Sequence, residues 1–314
     1  MQTFAMFNLC GFNHNITADI IPLFETVDDL INAADVMRTL YTNEAYKSHL
    51  KQRKNKQTIM LGFSDGTKDG GYLMANWSIF KAKENLTKIS REFGIKVIFF
   101  DGRGGPPARG GGKTHQFYAS LGPTIEDEEI QLTVQGQTIS SNFGTLDSSQ
   151  YNMEQLLSAG ISNELFSNAN NSMTKSNVTI MNDLANTSYK AYVDFKNHPK
   201  FISYLENMST LKYYAKTNIG SRPSKRSKSK GLNFSDLRAI PFVGSWSQLK
   251  QNVPGFYGVG TALKKYEENG EFEKIQQFYN NSDFIKALIG NSMMALSKSF
   301  FELTLVNFQI KRPS

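Results

Sequence analysis

Short apolar or β-branched runs recur along the first half of the chain, each closing on polar or charged residues, and most are followed by sequence with helical periodicity. Ala18 to Glu25 (ADIIPLFE) is the first run. Thr26 and Asp29 then make a capping box for a helix with Val27, Leu30, Ile31, Ala34 and Met37 on its apolar face. Thr58 to Asp65 (TIMLGFSD) predicts a second strand, followed by one long amphipathic helix to about Phe93. Ile95 to Phe100 predicts the third strand, Ile130 to Gln135 (IQLTVQ) the fourth and Ala239 to Trp246 (AIPFVGSW) a fifth. Near-continuously apolar strands alternating with helices predict an α/β fold around a parallel sheet covered on both faces. From about Asn142 to Lys216 the pattern turns helical, polar and Asn-rich, and reads as scaffold. The stretch from Ser282 repeats Met293, Leu296, Phe300 and Leu303 at helical spacing, a stripe expected in a core or a subunit contact.

Polar residues gather at one end of these strands. Glu25, Asp65 and Asp101 with Arg103 all fall at or just beyond strand C-termini, where parallel α/β folds assemble their sites. For each taken singly, a surface carboxylate is the plainer reading. Together, Glu25 and Asp65 would offer hard oxygen ligands for Mg²⁺ or Mn²⁺, with Lys68 one turn past Asp65. The third strand empties into a loop with six glycines and two prolines between Gly102 and Gly112, carrying Arg103, Arg109 and, just beyond it, Lys113. Such a loop implies mobility or close backbone approach, and its cations suit a phosphate or carboxylate, so it is a candidate lid. Gly112-Lys113-Thr114 mimics the end of a nucleotide P-loop, but the required first glycine falls on Pro107.

Composition narrows the class. The chain has 314 residues, 39% hydrophobic and 12% aromatic, enough for a sizeable core. A net charge of +7 suits small anionic substrates and is modest for a nucleic-acid binder. The basic run Asn218 to Gly231 lacks interleaved aromatics, so neither nucleic acid nor membrane is an expected partner. Cys10 alone excludes an internal disulfide, and His14, His49, His115 and His198 show no metal-ligand spacing. No stretch reaches membrane-spanning length and the N-terminus lacks a basic leader, making a cytoplasmic location the default expectation. Triplets such as Asn177-Val178-Thr179 read as chance in an Asn-rich chain.

PLFETVDDL, GFSDGTKDGG, GRGGPPARGGG, TVQGQ, GSRPSKR and LRAIPFVGSW, in this order from Pro22 to Trp246, closely resemble the motif series in the C-terminal part of phosphoenolpyruvate carboxylase. The resemblance implies part of a (β/α)8 barrel with extra helices. Residues 1–140 and 238–250 would supply barrel strands and active-site loops, and 141–237 and 251–314 would be mainly helical. It further implies that Glu25 and Asp65 hold a divalent metal and that Lys68, Arg103, Arg222 and Arg238 surround the substrate's phosphate and carboxylate. Arg109 would sit on the mobile loop, and Leu23 and Met60 would line an apolar pocket for CO₂ or else be plain core. The implied reaction is bicarbonate attack on phosphoenolpyruvate, giving carboxyphosphate and an enolate, then oxaloacetate and phosphate. Metal and guanidinium charge would offset the repulsion between these anions. Family members are homotetramers, and bacterial ones are inhibited by aspartate; Lys298 matches an inhibitor-contacting position that Arg109 would share.

Two departures qualify the resemblance. Asp101 stands where the family often has histidine, an anion beside the implied CO₂ pocket. The chain also matches only about the last third of family members, and the family's catalytic histidine lies upstream of it. With about five of eight strands legible, a barrel could not close. The expectation is an incomplete, inactive fragment. A noncatalytic regulatory or assembly module of the same fold is the alternative; a nucleotide-dependent phosphotransferase would instead need ATP at the glycine loop, and a nucleic-acid binder a steeply salt-dependent affinity.

Overall fold

A computed structural model describes residues 2–12, 16–166, 173–214 and 232–303. The order begins α1 (Gln2–Leu9), β1 (Leu23–Phe24), α2 (Val27–Thr42), α3 (Glu44–Gln52), β2 (Lys56–Gly62), α4 (Phe63–Gly70), α5 (Tyr72–Glu92), β3 (Lys96–Gly102), α6 (Thr114–Ala119) and β4 (Ile130–Leu132). Helices follow: α7 (Gln137–Phe143), α8 (Leu146–Phe166), α9 (Lys175–Lys196), α10 (Phe201–Asn207), α11 (Leu211–Tyr214), α12 (Ala239–Gln248), α13 (Val259–Glu268), α14 (Phe272–Asn281) and α15 (Asp283–Ser297). No helix among the described residues is long and apolar enough to cross a membrane.

The strands form one parallel sheet in the order β1-β2-β3-β4. Side chains alternate across it. Phe24, Ile59, Leu61, Val97, Phe99 and Asp101 are buried, in a core shared with α2, α5 and α9. The other face carries Leu23, Met60 and Phe100, which lie side by side in register and are exposed or half-buried. Among the described residues the four strands remain open, with β1 and β4 at the edges. A second apolar cluster joins Phe201, Leu205, Phe242 and Trp246 on α10 and α12 with Ala108 of the glycine loop.

Local chemistry explains where these elements begin and end. Thr26 accepts from the Asp29 amide at 3.1 Å, while Asp29 accepts from the Thr26 and Glu25 amides at 3.0 and 3.3 Å. The expected capping box therefore forms and also fixes the backbone at Glu25. Thr26→Ala is expected to cost about 1 kcal/mol, read from the denaturant midpoint. On α2, Val27, Leu30 and Met37 are buried as expected, but Ile31 is exposed and Ala33 and Tyr41 take the inner face. β1 is two residues long: Pro22 has no amide hydrogen to extend pairing, although its carbonyl accepts from Met60 at 2.9 Å. The single long helix expected after β2 is two helices, broken where Gly71 adopts φ 79°.

The fifth strand is not formed. Ala239–Gln248 is helix α12, with Pro241 tolerated in its first turn and most of its length buried. A buried helix segment and a buried strand share the same short apolar run, so periodicity cannot separate them. The stripe Met293, Leu296, Phe300 and Leu303 is exposed, and so is not core of this chain.

Candidate functional site

Register brings Glu25 to the end of β2. Leu23 pairs with Met60 and Phe24 with Leu61, so Glu25 comes opposite Gly62. A Cβ at Gly62 would lie 3.0 Å from Glu25 Cγ, and one at Gly66 would lie 3.3 Å from the Glu25 carbonyl. These two glycines let the first turn of α4, which carries Asp65, pass against Glu25. Both carboxylates are half-buried. Among the described residues no cluster of three His, Cys, Asp or Glu forms. Two half-buried hard oxygen donors fit the donor chemistry of Mg²⁺ or Mn²⁺, ions that commonly take one or two carboxylates and complete their shell with water and substrate oxygens.

Three cations lie on α4 or on elements packed against it. Lys68 lies one turn beyond Asp65 on α4, its ammonium 4.6 Å from the centre of the Phe234 ring. Arg238 is the residue that precedes α12, and is half-buried. Arg109 ends a 3₁₀ turn at Pro107–Arg109; its Nε donates to Ser64 Oγ at 3.2 Å and its Nη2 to Gln135 Oε1. Burial pulls the guanidinium below its ordinary value, while Asp65 and Tyr214 pull it back up. Arg109 is thus within electrostatic reach of the Asp65 carboxylate. Ser64, Gln135 and Tyr214, the neighbours of Arg109, were not singled out from sequence, although Ser64 lies in GFSDGTKDGG and Gln135 in TVQGQ.

The glycines of the Gly102–Gly112 loop serve close approach of the loop to itself. The Gly104 amide donates to the Arg109 carbonyl at 2.6 Å and Gly111 to Pro106 at 3.0 Å. A Cβ at Gly111 would stand 1.8 Å from the Gly105 carbonyl oxygen. Gly112, at φ 104°, packs its backbone on Asn291. Lys298 follows α15 and lines a small cleft with Pro106, Pro107 and Ala108, on the flank of the loop that carries Arg109.

Arg103 lies among aromatic side chains. It is 3% exposed, its guanidinium carbon 4.3 Å from the centre of Phe117, with Phe63 and Tyr118 at 5.3 and 5.5 Å. Its Nη1 is buried without a hydrogen-bond partner. Asp101 is relocated: it is on the sheet face opposite Leu23 and Met60, so it does not border the implied CO₂ pocket. Asp101 Oδ2 accepts from Lys83 Nζ and from the Tyr118 hydroxyl, each at 2.7 Å. Burial pushes Lys83 below its ordinary value against the pull of Asp101, and pushes the Tyr118 hydroxyl well up. The anion in place of histidine is therefore answered by a lysine on α5.

Leu23 and Met60 adjoin one another, but Leu23 is exposed and Met60 half-buried, so neither is core. Arg222 and the basic run Asn218 to Gly231 lie outside the described residues. The geometry thus brings Glu25, Asp65, Lys68 and Arg109 to one end of the sheet. A sequence model for phosphoenolpyruvate carboxylase matches residues 4–308. With that match covering nearly the whole chain, and the motif residues gathered at the strand ends, the chain belongs to the phosphoenolpyruvate carboxylase family.

Proposed function

We propose that the chain binds phosphoenolpyruvate beside a divalent metal and carries a large part of a carboxylase site that forms oxaloacetate from phosphoenolpyruvate and bicarbonate. The observation that supports this reading is the packing of the first turn of α4, which carries Asp65, against Glu25 at the end of β1, within a family match over residues 4–308. Glu25 and Asp65 would hold Mg²⁺ or Mn²⁺. That ion, when bound, would withdraw charge from the substrate's oxygens. Lys68, Arg109 and Arg238, with Arg222, would balance the phosphate and carboxylate and lower the repulsion felt by bicarbonate. Arg103 lies under aromatic rings, and its contact with substrate would require its guanidinium to leave them. Leu23 and Met60 would face CO₂ from the less buried side of the sheet.

Arg109→Ala should weaken phosphoenolpyruvate binding by about ten- to a hundredfold, the worth of a charged hydrogen bond at about 1.5–3 kcal/mol, as read by calorimetry. Lys298, which lines a cleft with Pro106, Pro107 and Ala108, would bind an aspartate effector together with Arg109 of the same loop. Assembly as a homotetramer and a cytoplasmic location belong to the same reading. Because β1 and β4 are edges among the described residues, we further propose that turnover needs additional strands, so this chain alone binds without reacting. Supplying phosphoenolpyruvate, bicarbonate and Mg²⁺ to the purified chain and assaying oxaloacetate tests that point. No product is expected; sustained product would refute the proposed dependence on further strands.

A further inference from the structure

The C-terminal end of α4 is a three-helix junction. Asp69 accepts from the Val27 amide at 3.2 Å, two residues after Glu25, and its carboxylate lies 3.7 Å from the Lys196 ammonium of α9. Lys196 also donates to the Asp69 carbonyl, and the Tyr192 hydroxyl donates to the Lys68 carbonyl at 3.0 Å. These carbonyls belong to the last turn of α4, where a helix has no N–H donors of its own for them and where a cation is favoured. The fit is tight: a Cβ at Gly70 would meet Val27 Cγ2 at 2.5 Å, and one at Gly71 would meet Tyr192 Cγ at 2.9 Å. Phe234 packs below both lysines, with Lys68 at 4.6 Å and Lys196 at 5.5 Å from its ring centre.

We propose that Lys196 and Asp69 are positioning residues that set α4, and with it Asp65 and Lys68, against the segment carrying Glu25. Asp69 ties the helix to the start of α2; Lys196 neutralises Asp69 and caps its carbonyl from a third element, beside Tyr192 on the Lys68 carbonyl. A helix as short as α4 has little stability of its own, so its orientation depends on such ties. This inference rests on the metal reading of Glu25 and Asp65, and its test separates the two.

Mn²⁺ alone is titrated into wild type, Lys196→Met, Lys196→Arg, Asp69→Asn and Glu25→Gln, and amide hydrogen exchange is followed along Phe63–Gly70. Lys265→Met, which breaks the Lys265–Asp183 pair between α13 and α9, serves as control. Lys196→Met and Asp69→Asn are expected to weaken Mn²⁺ by about tenfold and to speed exchange in α4, with Lys196→Arg restoring most of both and the control changing neither. Unchanged α4 exchange in Lys196→Met overturns the proposal. So does faster exchange with unaltered Mn²⁺ affinity, provided Glu25→Gln abolishes binding. Mn²⁺ binding that survives Glu25→Gln contradicts the metal reading instead, and α4 exchange alone then decides whether Lys196 sets the helix.

Discussion

Lys83→Met is expected to destabilise the protein by about 3–5 kcal/mol, among the largest losses from any single replacement here. Lys83 and Asp101 are each 1% exposed and only 2.7 Å apart. Removing the ammonium leaves a carboxylate in the core with Tyr118 as its only donor, and Asp101 Oδ1 already lacks a partner. Replacing both partners tells the arrangement apart from simple packing. Lys83→Met with Asp101→Leu should recover most of the loss, because two well-packed apolar groups need no counter-charge. Denaturant midpoints at constant slope measure both. A single variant within about 0.5 kcal/mol of wild type would show that the pair is not held as described.

Glu25→Gln and Asp65→Asn should each abolish measurable Mn²⁺ binding while leaving the unfolding free energy within about 0.5 kcal/mol of wild type. Each amide keeps the shape of the carboxylate and removes its charge. With two protein carboxylates beside the ion, losing either takes away half of the anionic donor set. The neutral shape matters at Glu25, whose side chain lies on Gly62 and whose backbone lies on Gly66. A larger or smaller replacement would mix a change of charge with a change in how α4 packs.

Much of this site was legible because its residues are punctuation in the sequence. Thr26 and Asp29 announce a helix start, and Glu25 follows where an apolar run stops; the strand expected to run to Asp65 ends at Gly62, and Asp65 lies in the first turn of α4. The break after Gly70 was less visible, since α4 and α5 read as one periodic stretch and the need for glycine at 71 comes from Tyr192, far along the chain. Asp101 shows a similar limit. Its position at a strand end was legible, but the face it occupies depends on pairing register, which a change of one residue reverses. Lys83 looked like any lysine of an amphipathic helix, and nothing local marks it as the partner of Asp101. Lys196 and Tyr192 were hidden for the same reason: their role lies in carbonyls of a helix more than a hundred residues earlier. In α12, burial on most sides erased the periodicity that would have distinguished helix from strand.

The most direct test of the central claim is calorimetric titration of Mn²⁺ into the folded wild-type chain with and without phosphoenolpyruvate. Binding that strengthens when phosphoenolpyruvate is present is predicted, because metal and substrate would share one site between Glu25, Asp65 and the surrounding cations. Absence of binding by the folded chain, or an affinity indifferent to phosphoenolpyruvate, would contradict it.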